Sequence, residues 1–203
     1  MTSGDILVGR HRADRPPDDG GTTTVARHRR DDAALAAAWV SDDQDEPVRE
    51  VLERTRALGA RVLHDRRVPG SRERIDHLVV TSAGVWVVAA AHTTARPRRT
   101  VEGGRLRARR EHLHLGLRDR TGLLEVVRQQ AALVSAVVGD DVPVHAALCL
   151  VGADWPLLTG DFTVQDVLVT WPRRLHAVLS HETDGPVDVA AVHSRLNATF
   201  RVV

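Results

Sequence analysis

Asp65 and Asp76, each next to a histidine (His64 and His77), are the residues of this 203-residue chain whose types best suit chemistry. Carboxylates supply the hard oxygen ligands that Mg²⁺ or Mn²⁺ takes, and imidazoles bind metals or carry protons. Spacing narrows the choice. Successive side chains of a strand point to opposite faces, so a His-Asp neighbour pair does not aim at one ion. The pattern fits no zinc signature, and hydrogen-bonded histidines on a sheet face are the expected outcome. The second chemical feature is a run of arginines, Arg96, Arg98, Arg99, Arg105, Arg107, Arg109 and Arg110, around Gly103-Gly104. Guanidinium groups at this density could grip a phosphate backbone, or could protect an exposed strand edge from aggregation. No aromatic residue interleaves with them, so base stacking is not indicated.

These residues need elements to hold them. Residues 75–92 read as two apolar, β-branched strands joined by a tight Thr81-Ser82-Ala83-Gly84 turn. Ahead of them, residues 61–68 form a strand stopped by Pro69-Gly70, and residues 45–58 a helix capped by Asp42 or Asp43 and closed by Gly59. Gly103-Gly104 suits a two-residue hairpin turn, after which alternation sets Arg105, Arg107 and Arg109 on one face. A helix over 123–138, with Gln129 and Gln130 on it, precedes an apolar strand over 142–151 that holds Cys149 in the core. A further strand spans 166–171, Pro172 opens a helix to about Ser180, and Pro186 opens a last one to Phe200. The fold class expected is α/β, a mixed central sheet flanked by helices. Residues 1–32 are polar and expected to be a disordered arm, 33–40 a short helix or linker, and 41–203 the domain.

The stretch Ile75-Asp76-His77-Leu78-Val79-Val80, a turn, then Gly84-Val85-Trp86-Val87-Val88 resembles the central hairpin of the NERD (nuclease-related) domain. Glu111-His112-Leu113 and Arg118-Asp119-Arg120-Thr121 are similar to stretches of actinobacterial members. The resemblance implies a restriction-endonuclease-like PD-(D/E)xK core. In such nucleases an Asp on the first strand and an acid on the second bind a metal, and a lysine two residues on assists. Asp76 stands at the first position; Ala89 and Ala91 stand where the acid and the lysine belong. The site implied is degenerate, with Asp76 vestigial. The first helix of the family carries a Gly-Glu pair, which Glu46 matches without the glycine, and Gln129 or Gln130 matches a helical glutamine near the metal.

The absence of lysine bears on the same point: all 28 basic residues are arginine. That excludes a P-loop and a Schiff-base lysine along with the superfamily's own lysine. Net charge is +1, so attraction to nucleic acid must come from a local patch. One cysteine excludes an internal disulfide. No apolar run approaches a membrane span, and a cytoplasmic protein without a membrane partner is expected. Three functions remain open. The first is a nucleic-acid binder without efficient cleavage, using Arg98, Arg99, Arg105, Arg107, Arg109 and Arg110 and no cofactor. The second is an active Mg²⁺ or Mn²⁺ nuclease with ligands migrated to Asp65, Asp76, Glu46 or Glu111. The third is a protein-interaction module with a protein partner.

Overall fold

A computed structural model describes residues 46–104, 107–156 and 160–203. The expected arm, the short helix, the candidate caps Asp42 and Asp43, and Arg105 lie outside the described residues, as does the side chain of Arg107.

The first helix, α1 (Glu46–Arg54), tightens into a 3₁₀ turn over Thr55–Leu58 and stops at Gly59, whose φ of 91° suits a residue without Cβ. Val48 and Leu52, four apart and fully buried, dock it on the sheet. Burying each contributes roughly 1.5–3 kcal/mol. The strands β1 (Arg61–Arg67), β2 (Arg74–Val80) and β3 (Val85–His92) form an antiparallel meander. The Thr81–Gly84 turn joins β2 to β3 as the sequence suggests, with Thr81 Oγ1 accepting from the Gly84 N–H at 3.1 Å. A Cβ on Gly84 would fall 2.6 Å from the Pro143 carbonyl oxygen, so glycine there lets the chain entering the next sheet strand close on the turn.

From β3 the chain builds a separate three-stranded sheet, β4 (Pro97–Gly104), β5 (Arg107–Leu115) and β6 (Arg118–Asp119). It then forms α2 (Thr121–Val138) and returns as β7 (Val144–Val151), parallel to β3. A short β8 (Phe162–Val164) makes a hairpin with β9 (Val167–Thr170), which lies parallel to β7. The main sheet has the order β1-β2-β3-β7-β9-β8. Two more helices follow, α3 (Pro172–Ser180) and α4 (Val189–Thr199).

This is a mixed α/β architecture consistent with a nuclease-like fold. Alternating side chains of β3 divide its core in two. Val85, Val87 and Ala91 join Leu123, Leu124, Val127 and Val134 of α2 and Leu196 of α4. Trp86, Val88 and Ala90 join Val48 and Leu52 of α1 and Leu175 and Leu179 of α3. Pro172 occupies the first turn of α3 as expected. The last helix does not start at Pro186; Asp188 caps it, accepting from the Ala191 N–H at 3.0 Å, because a side-chain oxygen there can bond that free donor. Gly103-Gly104 is not the hairpin turn either. Gly104 pairs with Arg107 within the β4–β5 ladder, and Gly103 (φ 90°) sits at an irregularity in the register.

Candidate functional site

The candidate site lies where β2 starts and β1 passes beside it. Pairing of β2 with β3 runs from Val80↔Val85 to His77↔Val88, so the next position sets Asp76 beside Ala89. There the carboxylate replaces a strand partner: Asp76 Oδ2 accepts from the Ala90 N–H at 3.1 Å. Its other oxygen lies 3.6 Å from Arg74 Nε. Arg74 also reaches Asp65 (Nη1–Oδ1 3.2 Å), and Asp65 in turn accepts from Arg49 of α1 at 2.7 Å. Arginine guanidinium groups thus lie among the two carboxylates that could have held a metal. Asp65 adopts φ 52°, a conformation that costs a non-glycine residue energy. The Val203 N–H donates to its carbonyl at 3.0 Å and helps hold that shape.

On the α1 side the two histidines form a relay. His64 Nδ1 lies 2.8 Å from His77 Nδ1, and His64 Nε2 lies 2.7 Å from Glu53 Oε1. A carboxylate can only accept, so His64 carries its proton on Nε2 and its Nδ1 accepts from the N–H of His77. Burial lowers both histidines from their ordinary range, His77 the further, with His64, Arg49 and Arg74 nearby adding to the effect. Burial pushes the Glu53 carboxyl up, but hydrogen bonds from Arg56 and His64 outweigh it and leave the group lowered. Arg49 and Glu53, one helical turn apart, are not singled out by the sequence reading. Their signal is there in charged residues flanking the buried stripe Val48–Leu52 at i+4 spacing.

Ala89 is half-buried and Ala91 is 5% exposed, both packed on the apolar core beneath α2. Gln130, rather than Gln129, reaches this end of the sheet: it is buried and donates to the Arg74 carbonyl at 3.0 Å. Gln129 is exposed and bonds to Glu125 on its own helix. Glu46 is exposed at the first position of α1. Glu111 lies in the other sheet, where it accepts from the Gln165 N–H at 3.1 Å and pairs with Arg99. The Gln165 bond, and Arg99 after it, hold its carboxyl below the usual range. Of the carboxylates offered for a migrated metal site, Asp65 and Asp76 meet around Arg74, whereas Glu46 and Glu111 lie elsewhere. Among the described residues no three His, Cys, Asp or Glu side chains form a group able to hold a metal ion.

A family model for NERD, the nuclease-related domain, matches residues 42–151, more than half of the chain. The chain belongs to the nuclease-related domain family. The match runs from α1 through β7 and contains Asp76, Ala89, Ala91 and the arginine hairpin. Neither a curated protein nor a solved structure matches the chain.

The hairpin of this NERD domain divides its arginines between two faces. In the β4–β5 register Arg99 lies opposite Leu113, which is buried, whereas Arg98 lies opposite His114 and Arg110 opposite Glu102. Arg98, Arg109 and Arg110 are exposed and make no ion pair among the described residues, unlike Arg96, held by Asp154 at 2.7 Å, and Arg99, held by Glu111. The Glu111-His112 and Asp119-Thr121 stretches fasten the small sheet. Asp119 accepts from the Thr121 N–H at 2.8 Å, Thr121 Oγ1 accepts from the Leu113 N–H at 3.0 Å, and His112 Nδ1 lies 3.1 Å from Asp119. Asp119 stands one residue before the N-cap of α2, which is Arg120. No helix among the described residues is long and apolar enough to cross a membrane.

Proposed function

We propose that this NERD domain binds nucleic acid without metal-dependent phosphodiester cleavage. The observation that carries the second half is the engagement of Asp76: one oxygen holds the Ala90 N–H and the other faces Arg74. Polarising a phosphoryl group and activating water takes a cation held by converging carboxylates. Ala89 and Ala91 supply none, and a guanidinium can stabilise phosphoryl charge but does not act as a base. Exposed Arg98, Arg109 and Arg110 support the first half, since guanidinium groups without an ion pair among the described residues, on an otherwise near-neutral molecule, would attract phosphate.

The test is one protein preparation and two readouts. DNA binding across a salt series should weaken steeply with salt, and the Arg98→Ala/Arg109→Ala/Arg110→Ala variant should flatten that slope by about one for each phosphate it no longer neutralises. Plasmid incubated with Mg²⁺ or Mn²⁺ should stay intact. EDTA-sensitive cutting abolished by Asp76→Ala would overturn the reading in favour of an active nuclease. Indifference to DNA at low salt would turn attention to a protein partner.

A further inference from the structure

The two sheets leave a cleft between them. Strand β4 is the edge of the small sheet and β8 the edge of the large one. Between them lies a cavity of about 880 Å³ lined by residues 96–100 on one side and by Pro156, Gly160, Asp161 and Phe162 on the other. That is ample for a nucleotide, since small-molecule sites run from roughly 300 to 1,000 Å³. Most of its charge is already paired, Arg96 with Asp154, Arg99 with Glu111 and Asp161 with Arg174 at 2.9 Å, which leaves Arg98 as the cation of the cleft wall. Arg98 is exposed and makes no ion pair among the described residues. Apolar surface completes the wall. Phe162 is half-buried and backed by Trp155, ring centroids 5.9 Å apart, and Trp155 is backed by Trp171 at 4.7 Å. An aromatic ring fixed by two more behind it is a preorganised platform.

We propose that this cleft takes single-stranded nucleic acid, an unpaired base lying against Phe162 while an adjoining phosphate meets Arg98. The inference rests on the nucleic-acid reading above and narrows it to one conformation of the ligand. A duplex keeps its bases stacked on one another and presents only its backbone. An unpaired strand offers the ring face and the charge together, which is the combination of aromatic platform and cationic groove that single-strand binders use. No aromatic residue stands among the arginines in sequence; Phe162 belongs to β8 and joins them only through the fold.

Anisotropy of a labelled oligo(dT) strand and of a duplex of equal length, with the whole chain at low and moderate salt, decides the matter. Wild type should prefer the single strand. Phe162→Ala should weaken single-strand binding about fivefold or more, the loss of one stacked base, with little effect on the duplex. Arg98→Glu, on the surface, should weaken it too. Tryptophan emission should change as the strand binds, because Trp155 lies directly behind the platform. If Phe162→Ala fails to fold by circular dichroism, Arg98→Glu and Thr100→Glu, both at exposed positions, carry the decision. Single-strand binding undiminished in the cleft variants would overturn the cleft and leave the nucleic-acid reading standing, as would equal binding of duplex. No binding of either DNA at low salt would overturn both.

Discussion

The α1–β1–β2 corner and the β4–β5 hairpin both carry arginine and use it in opposite ways. In the corner, Arg49 and Arg74 are interleaved with Asp65 and Asp76, and neighbouring His64 and Glu53 are bonded to each other. In the hairpin, Arg98, Arg109 and Arg110 project from exposed strands without an ion pair among the described residues. Location sets the difference. In the corner opposite charges pair and hold strands together, whereas the exposed hairpin arginines are, under the proposed function, the cations that meet an external anion.

The sharpest way to break that comparison is Asp76→Ala. It strands the Ala90 N–H and takes a carboxylate from Arg74 in a site that is 7% exposed. Unfolding in urea should show a loss of about 2–4 kcal/mol. Asp76→Asn keeps an acceptor for Ala90 and should lose less. A loss below about 0.5 kcal/mol would mean that Asp76 does not hold the strands, and would make it a candidate for chemistry again.

Next in size is Ala91→Lys. The position is 5% exposed and packed under α2, so a lysine stem overfills the core and its charge has no solvent. We expect about 1–3 kcal/mol from overpacking alone, with Ala89→Glu milder because Ala89 is half-buried. If Ala91→Lys is as stable as wild type, the core at this point accommodates the nuclease residue after all, and the double variant becomes a fair test of restored cleavage.

How much of this is legible in sequence follows from how local each signal is. The β2–β3 hairpin, its Thr81–Gly84 turn, the Gly59 and Gly139 helix ends and the buried Cys149 all depend on neighbours a few residues away, and all stand where the pattern sets them. That Gly104 pairs with Arg107 as part of the ladder escapes the sequence reading, because Gly103-Gly104 carries a strong local turn signal. Helical spacing could not separate Gln129 from Gln130; the Arg74 carbonyl that Gln130 binds is 56 residues away. The ion-paired corner is the least legible. Asp65 and Asp76 look like ligands because the cations beside them, Arg49 and Arg74, come from other parts of the chain.

The histidine relay adds a smaller, pH-dependent effect. An unfolded histidine titrates near 6.5, whereas burial holds folded His64 and His77 lower. Below about pH 6.5 the unfolded chain therefore binds more protons than the folded one, and the stability that is complete above that pH is lost as pH falls through the folded values. Glu53 and Arg49 of α1, Asp65 of β1 and Arg74 of β2 surround the pair and set how far that loss extends. Tm should fall by a few degrees between pH 7.5 and pH 5, roughly 1 kcal/mol for a domain of this size. His64→Gln, which keeps a donor for Glu53 but does not titrate, should flatten the profile. His77 remains in that variant, and His193, half-buried and also lowered by burial, adds to the same slope, so an unchanged profile in His64→Gln would place the effect on those two instead.

The smallest stability effect belongs to the hairpin. Arg98→Glu changes an exposed side chain without an ion pair among the described residues, and should leave unfolding within about 0.5 kcal/mol of wild type. The same substitution reverses a charge at the mouth of the cleft and should be felt in DNA affinity. A residue that matters to binding and not to folding is one whose charge the fold has not used. Were Arg98→Glu instead to destabilise the protein as Asp76→Ala does, the hairpin would be as internally committed as the corner, and its arginines would be there to protect the β4 edge.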